Sequence, residues 1–128
     1  MIPGLPEFIK TSGEIKRMKM IVAVIQPFML SKLICEFEEL DDFPGLTISD
    51  VRGFGRRVDR NGNRFTELQP FKPKTRIEIV VRDEMVEGVV EAIKSHARTG
   101  NHGDGKIFVL PIEAAVRIQT GQTGDAAI

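Results

Sequence analysis

The chain alternates strand-like apolar runs with helical stripes. Residues 19–25, KMIVAVI, are β-branched and apolar and read as a strand. Pro27 then opens a helical stretch in which Leu30, Leu33, Ile34, Phe37 and Leu40 share one face. Asp41, Asp42, Pro44 and Gly45 end it. Residues 46–52, LTISDVR, alternate as a half-buried strand does, and 75–81, TRIEIVV, form a cleaner one. Asp83 is placed as the N-cap of a second helix, and Glu84 and Glu87 suit its positive end. Met85, Val86, Val89, Val90, Ile93 and Ala97 give its buried face, Arg98 sits near its end, and Gly100 stops it. Residues 107–112, IFVLPI, make a fourth strand. A short apolar piece around Val116 and Ile118 follows, then a polar, Gly-rich tail.

This order, β-α-β-β-α-β, predicts an α+β fold of the ferredoxin-like kind, an antiparallel sheet with two helices on one face. The strands IVAVI, IEIVV and IFVL are apolar on both sides. A small protein with such strands covers its second sheet face by forming an oligomer.

Composition narrows the function. The 128 residues suggest one domain, and apolar (41%) and charged (28%) contents are ordinary for a globular chain. Zero net charge argues against a general binder of nucleic acid or anionic membrane. No apolar run approaches a membrane span, and the N-terminus lacks a secretory core. A single cysteine, Cys35, forms no intrachain disulfide, so a reducing compartment and a cytoplasmic location are expected. Cys35 lies among helical positions and is read as packing.

Two segments are irregular. Residues 1–17 carry mixed charge, two Pro and two Gly, and read as an N-terminal extension. Residues 53–74 are punctuated by Gly53, Gly55, Gly62, Pro70 and Pro73, with Asn61-Gly62 as a hairpin turn. Such a long loop in a compact domain is functional or unstructured. Arg56, Arg57, Arg60 and Arg64 make it basic, which suits either a solvated loop or anion and partner binding, with Phe65 and Phe71 as anchors. His96 reads as a surface residue and His102 as solvent-facing. Glu38, Glu39, Asp41 and Asp42 read as a solvated helix end, so no metal site is expected.

Residues 98–108, RTGNHGDGKIF, carry the most chemistry. Gly100 to Lys106 match G-x-x-x-x-G-K of a P-loop, but Ile107 stands where Ser or Thr should hold magnesium. The context is also reversed, helix to strand instead of strand to helix. Gly100, Gly103 and Gly105 still allow backbone N–H groups to converge on an anion, with Lys106 adding charge. By spacing alone a plain Gly-rich turn remains an equal reading.

The stretch TGNHGDGKIFV strongly resembles the signature loop of the PII signal-transduction proteins. MKMIVAVIQPFML, ISDVRGFGR, KPKTRIEIVV and the ending RIQTGQTGDAAI resemble further PII segments in the same order, so the likeness covers residues 18–128. It implies a compact homotrimer of ferredoxin-like subunits whose sheets pack inward. It also implies a large flexible loop at about 54–73, a phosphate loop at 99–106, and adenine nucleotide (ATP, ADP or AMP) bound in clefts between subunits. Carried over by position, Gly55, Arg56, Gly103, Asp104, Gly105, Lys106 and a neighbour's Arg117 would take the phosphates. Thr47, Gly53, Glu78 and Val80 would take adenine and ribose, and Lys74 matches a lysine that helps bind 2-oxoglutarate. No tightly bound cofactor, nucleic-acid partner or membrane insertion is implied. The partner would be a target protein engaged by the large loop, such as a membrane transporter or a metabolic enzyme.

Departures from the family pattern redirect this expectation. Arg57 replaces a glutamine that helps hold magnesium and 2-oxoglutarate, and a guanidinium cannot ligate a metal. Gln119 replaces a second phosphate-binding arginine, and a chain without tyrosine excludes uridylylation. Arg57 with Lys74 instead suits an extra anion. The leading reading is a non-enzymatic regulator. The others are a carboxysome-linked sensor of ADP or AMP with bicarbonate, a slow ATPase, and a structural trimer without ligand.

Overall fold

The structure, a computed structural model, describes residues 18–54, 71–101 and 103–128. Strand β1 (Met18–Ile25) leads through a 3-10 turn (Pro27–Met29) into helix α1 (Leu30–Glu38). Strands β2 (Thr47–Gly53) and β3 (Lys72–Arg82) follow, then helix α2 (Asp83–His96), strand β4 (Gly105–Ile112) and a closing 3-10 turn at Gly124–Ala127. The strands form one antiparallel sheet in the order β2-β3-β1-β4. This is the expected ferredoxin-like βαββαβ arrangement.

Strand register follows from residue parity, because successive side chains point to opposite faces. Ile21 pairs with Ile79, Ala23 with Ile77 and Ile25 with Thr75, and all six are buried. Against them pack Leu33 and Phe37 of α1, and Val89 and Ile93 of α2 with Ala97 beyond it. Phe37 also stacks on Phe43, with ring centroids 4.7 Å apart. One residue along, Met20, Val22 and Val24 of β1 align with Val80, Glu78 and Arg76 of β3 and with Leu110, Phe108 and Lys106 of β4. On that second face Phe108 is 51% and Leu110 44% exposed.

Several elements differ from expectation. Strand β3 begins three residues earlier than its apolar run and includes Pro73. The β1 ladder stops at Thr75, so Pro73 pairs with Arg52 of β2 alone, where its missing N–H is tolerated. Asp83 is the first helical residue and not the cap; Arg82 holds that place without a side-chain cap bond, and Asp83 pairs with Lys19 at 2.7 Å. Strand β2 is an edge strand, exposed over most of its length instead of half-buried. Cys35 is exposed and not core packing, because it falls between Leu33 and Phe37 and so off the buried stripe. His96 is half-buried instead of free at the surface, with Nδ1 3.0 Å from Ala92 O and Nε2 3.4 Å from Glu36 on α1. The extension at 1–17 and the Asn61-Gly62 turn lie outside the described residues.

Candidate functional site

The chain leaves α2 at His96 and must reverse within a few residues to enter β4. Gly100, Gly103 and Gly105 make this turn with φ of 84°, 87° and 115°, a region that disfavours side chains. Gly105 has a second requirement. A Cβ there would lie 1.7 Å from Val24 O, so only glycine lets β4 join β1 at this row.

Asp104 holds the loop together. Its carboxylate accepts from Thr99 Oγ1, from Thr99 N at 2.7 Å and from Gly100 N at 2.9 Å. The Thr99 hydroxyl holds the carboxyl below the usual carboxylate range against the opposing effect of desolvation; the two backbone N–H groups and then Lys74 each add a smaller effect in the lowering direction. Asp104, a candidate phosphate residue by sequence, has its carboxylate oxygens on Thr99 and Gly100 of its own loop. Lys74 of β3 donates to Gly103 O at 2.5 Å, tying the start of β3 to the glycine-rich turn. Gly103 is hemmed in by Lys74 Nζ and Gln26 Nε2, which lie 3.2 and 3.3 Å from the place its Cβ would occupy. Lys106 follows on β4 opposite Val24.

A second group gathers elsewhere. Thr47, Glu78, Val80 and Arg117 line one cleft of about 470 Å³ with Met20, Pro44, Leu46, Ala127 and Ile128. Pairing accounts for most of it, since Thr47 sits opposite Glu78, and Val80 opposite Met20. Arg117 is placed by a tight C-terminal hairpin, with Arg117 N bonded to Gln122 O and Gly121 N to Arg117 O, each at 2.8 Å. Val80 and Met20 offer an apolar wall, while Thr47, Glu78 and Arg117 offer polar groups. Glu78 Oε1 lies 3.2 Å from Arg76 Nε, although that buried N–H forms no aligned hydrogen bond among the described residues.

These two groups are separate within one chain. Gly53 belongs with the phosphate loop, since it abuts Lys74, and it stands six residues from Thr47 along β2. At ~3.4 Å per residue that is roughly 20 Å. The structure therefore does not bring Gly53 together with Thr47, Glu78 and Val80. Gly55, Arg56 and Arg57, the further loop residues Arg60, Arg64 and Phe65, and His102 lie outside the described residues. Phe71 is described: it meets Phe54 with centroids 5.9 Å apart where β2 and β3 leave the sheet. Among the described residues no His, Cys, Asp and Glu group is arranged to hold a metal, and no helix is long and apolar enough to cross a membrane.

Sequence reasoning missed Met20, then Pro44, Gly45 and Leu46, and the C-terminal Ala127 and Ile128 as cleft residues. The Met20–Val80 pairing was the only available signal, and it needs the register. Thr99 was missed as the loop's anchor, although a Thr and an Asp five residues apart across a turn is a readable pattern.

A model of the nitrogen regulatory protein P-II family matches residues 18–122. The chain belongs to this family. The P-II protein of Cereibacter sphaeroides is 44% identical over 118 residues, covering 87% of this chain and all of that one. The P-II protein of Azospirillum brasilense is 42% identical with the same coverage. Among solved structures, Arabidopsis thaliana PII bound to citrate is similar at TM-score 0.72 and 34% identity, covering 88% of this chain and 94% of that one. The Bacillus subtilis GlnK–ATP complex is similar at TM-score 0.74 and 32% identity, covering 88% and 98%. P-II proteins are regulatory signal transducers.

Proposed function

We propose that this P-II protein is a non-enzymatic regulator that binds an adenine nucleotide in clefts between the subunits of a homotrimer. The observation that carries this reading is the roughly 20 Å between Thr47 and Gly53, two residues that should face the same base. One copy cannot present both, whereas two copies side by side can. The cleft of one copy supplies Thr47, Glu78, Val80 and Arg117. Its neighbour supplies Gly53, then Gly55 and Arg56, and the phosphate loop with Gly103, Gly105 and Lys106. Asp104 contributes by holding the loop's N–H groups in place. The exposed apolar residues Phe108, Leu110 and Val116 are suited to contact between copies. The ATP complex of the Bacillus subtilis relative supports nucleotide as ligand, and the citrate complex of the Arabidopsis relative supports a carboxylate effector.

In this reading phosphate binding is felt at Lys74, through its bond to Gly103, and passes to the large loop at about 54–73. That loop engages a target protein, a membrane transporter or a metabolic enzyme. Arg57 and Lys74 form the effector-anion site. Arg57 supplies no metal ligand, so nucleotide binding depends little on magnesium.

Calorimetry with ATP, ADP and AMP, each with and without 2-oxoglutarate or bicarbonate, tests this. Lys106→Ala in one subunit type and Arg117→Ala in another should each abolish binding alone, and mixed trimers should regain part of it. Failure of every nucleotide to bind the assembled protein would refute the reading.

A further inference from the structure

A second pocket lies under the phosphate loop, on the helical side of the sheet. Its floor is apolar, made by Ile25, Ile93, Ala97 and Ile107. Lys94 and Arg98 stand around it with Asp104, while Lys106 borders it with a side chain on the parity of the other face. Gly105 and Ile107 align with Ile25 and Ala23, whose side chains face the helices, so this pocket opens on the face opposite Glu78 and Val80. Two cations and one carboxylate leave a positive balance. The carboxylate of Asp104 is already engaged by Thr99 and Gly100. Lys94 meets Glu91 only at 3.8 Å, across an exposed gap. No described acidic residue forms an ion pair with Arg98 or Lys106.

We propose that this pocket binds a compact aliphatic carboxylate, a ligand distinct from the nucleotide. Its alkyl body would rest on Ile93, Ala97 and Ile107, and its head would meet Arg98, whose planar guanidinium matches a carboxylate through two parallel hydrogen bonds. The volume, about 260 Å³, lies just below the roughly 300–1,000 Å³ of sites for drug-sized ligands, which limits the ligand to a short chain. Its roof is the same glycine-rich turn that presents Gly103 and Lys106 on the other face. Occupancy therefore acts on the phosphate loop from behind.

Nucleotide-free protein, titrated by NMR with 4-methylpentanoate, 4-methylpentan-1-ol and acetate, tests this without relying on the nucleotide reading. The expected result is movement of the Ile93, Ala97 and Ile107 amides, with the branched acid binding at least about tenfold more tightly than the alcohol or acetate. Arg98→Ala should cost about tenfold for the acid and leave the alcohol unchanged, with Arg98→Lys between the two. Equal binding of acid and alcohol overturns the proposal, as do shifts confined to Thr47, Glu78 and Val80. Shifts of the pocket amides with protein concentration alone also overturn it, because the pocket would then belong to a contact between copies.

Discussion

On the helical face of the sheet Ile21, Ile77, Ile79 and Val81 have no exposed surface, whereas one residue along, Phe108 and Leu110 look out beside Glu78, Arg76 and Lys106. The same strands build both faces, so strand parity divides a fully closed face from a more open one on which Val22 stays buried but Phe108 and Leu110 do not. Mixed chemistry is affordable only on the open face, because a charge on the closed one would be buried without a partner. The contrast also explains why the phosphate loop is so constrained. Gly105 stands opposite Ile25 at the row where β4 meets β1, and a side chain there would run into Val24 O.

The largest effect is expected inside the closed face. Phe37→Ala removes a fully buried ring and should cost about 3–5 kcal/mol in urea unfolding of the chain. Gly105→Ala comes next, because its Cβ meets the backbone oxygen of Val24 and must displace β4. Roughly 1–3 kcal/mol is expected, with loss of nucleotide binding in the same preparation. A variant that keeps both would separate the loop from the sheet and break the comparison.

Asp104→Asn should act more locally. Amide exchange at Thr99 and Gly100 should quicken while the β1 and β3 amides keep their protection. The same experiment can be run with pH. The carboxyl is held below the ordinary carboxylate range, so its stabilisation is complete above that range. It is lost as pH falls through the lower, folded-state value, and loop protection should fade only in that acid range. Leu110→Asp should change the isolated chain least, within about 0.5 kcal/mol, yet dissociate the proposed trimer in sedimentation. A trimer that survives it would place the subunit contact elsewhere.

Periodicity made the closed face legible. The stripes through Leu33 and Phe37, and through Val89 and Ile93, were readable because burial there is continuous along a helix. Cys35 shows the limit, since its residue type suggested packing while its angle around the helix did not. Strand β2 alternates in sequence, but an edge position depends on what lies beside it, which one strand cannot reveal. The glycines of the phosphate loop were legible as a motif. The bond between Thr99 and Asp104 was not, because glycine spacing does not say which groups of the turn a carboxylate will accept from. Likewise, the separation of Gly53 from Thr47 depends on strand length, a property of the folded chain.

Beyond the Ile25–Thr75 row, β1 ends and the sheet's third strand with it, while β2 and β3 run on together through Val51–Lys74, Arg52–Pro73 and Gly53–Lys72. Mechanically, this overhang is a cantilever clamped at Thr75. Lys74 sits just past the clamp, and its bond to Gly103 acts as a strut close to the fulcrum. By lever geometry, a small displacement of that strut, such as the proposed phosphate binding would cause, would be magnified at the Phe54–Phe71 end in proportion to its distance from the clamp.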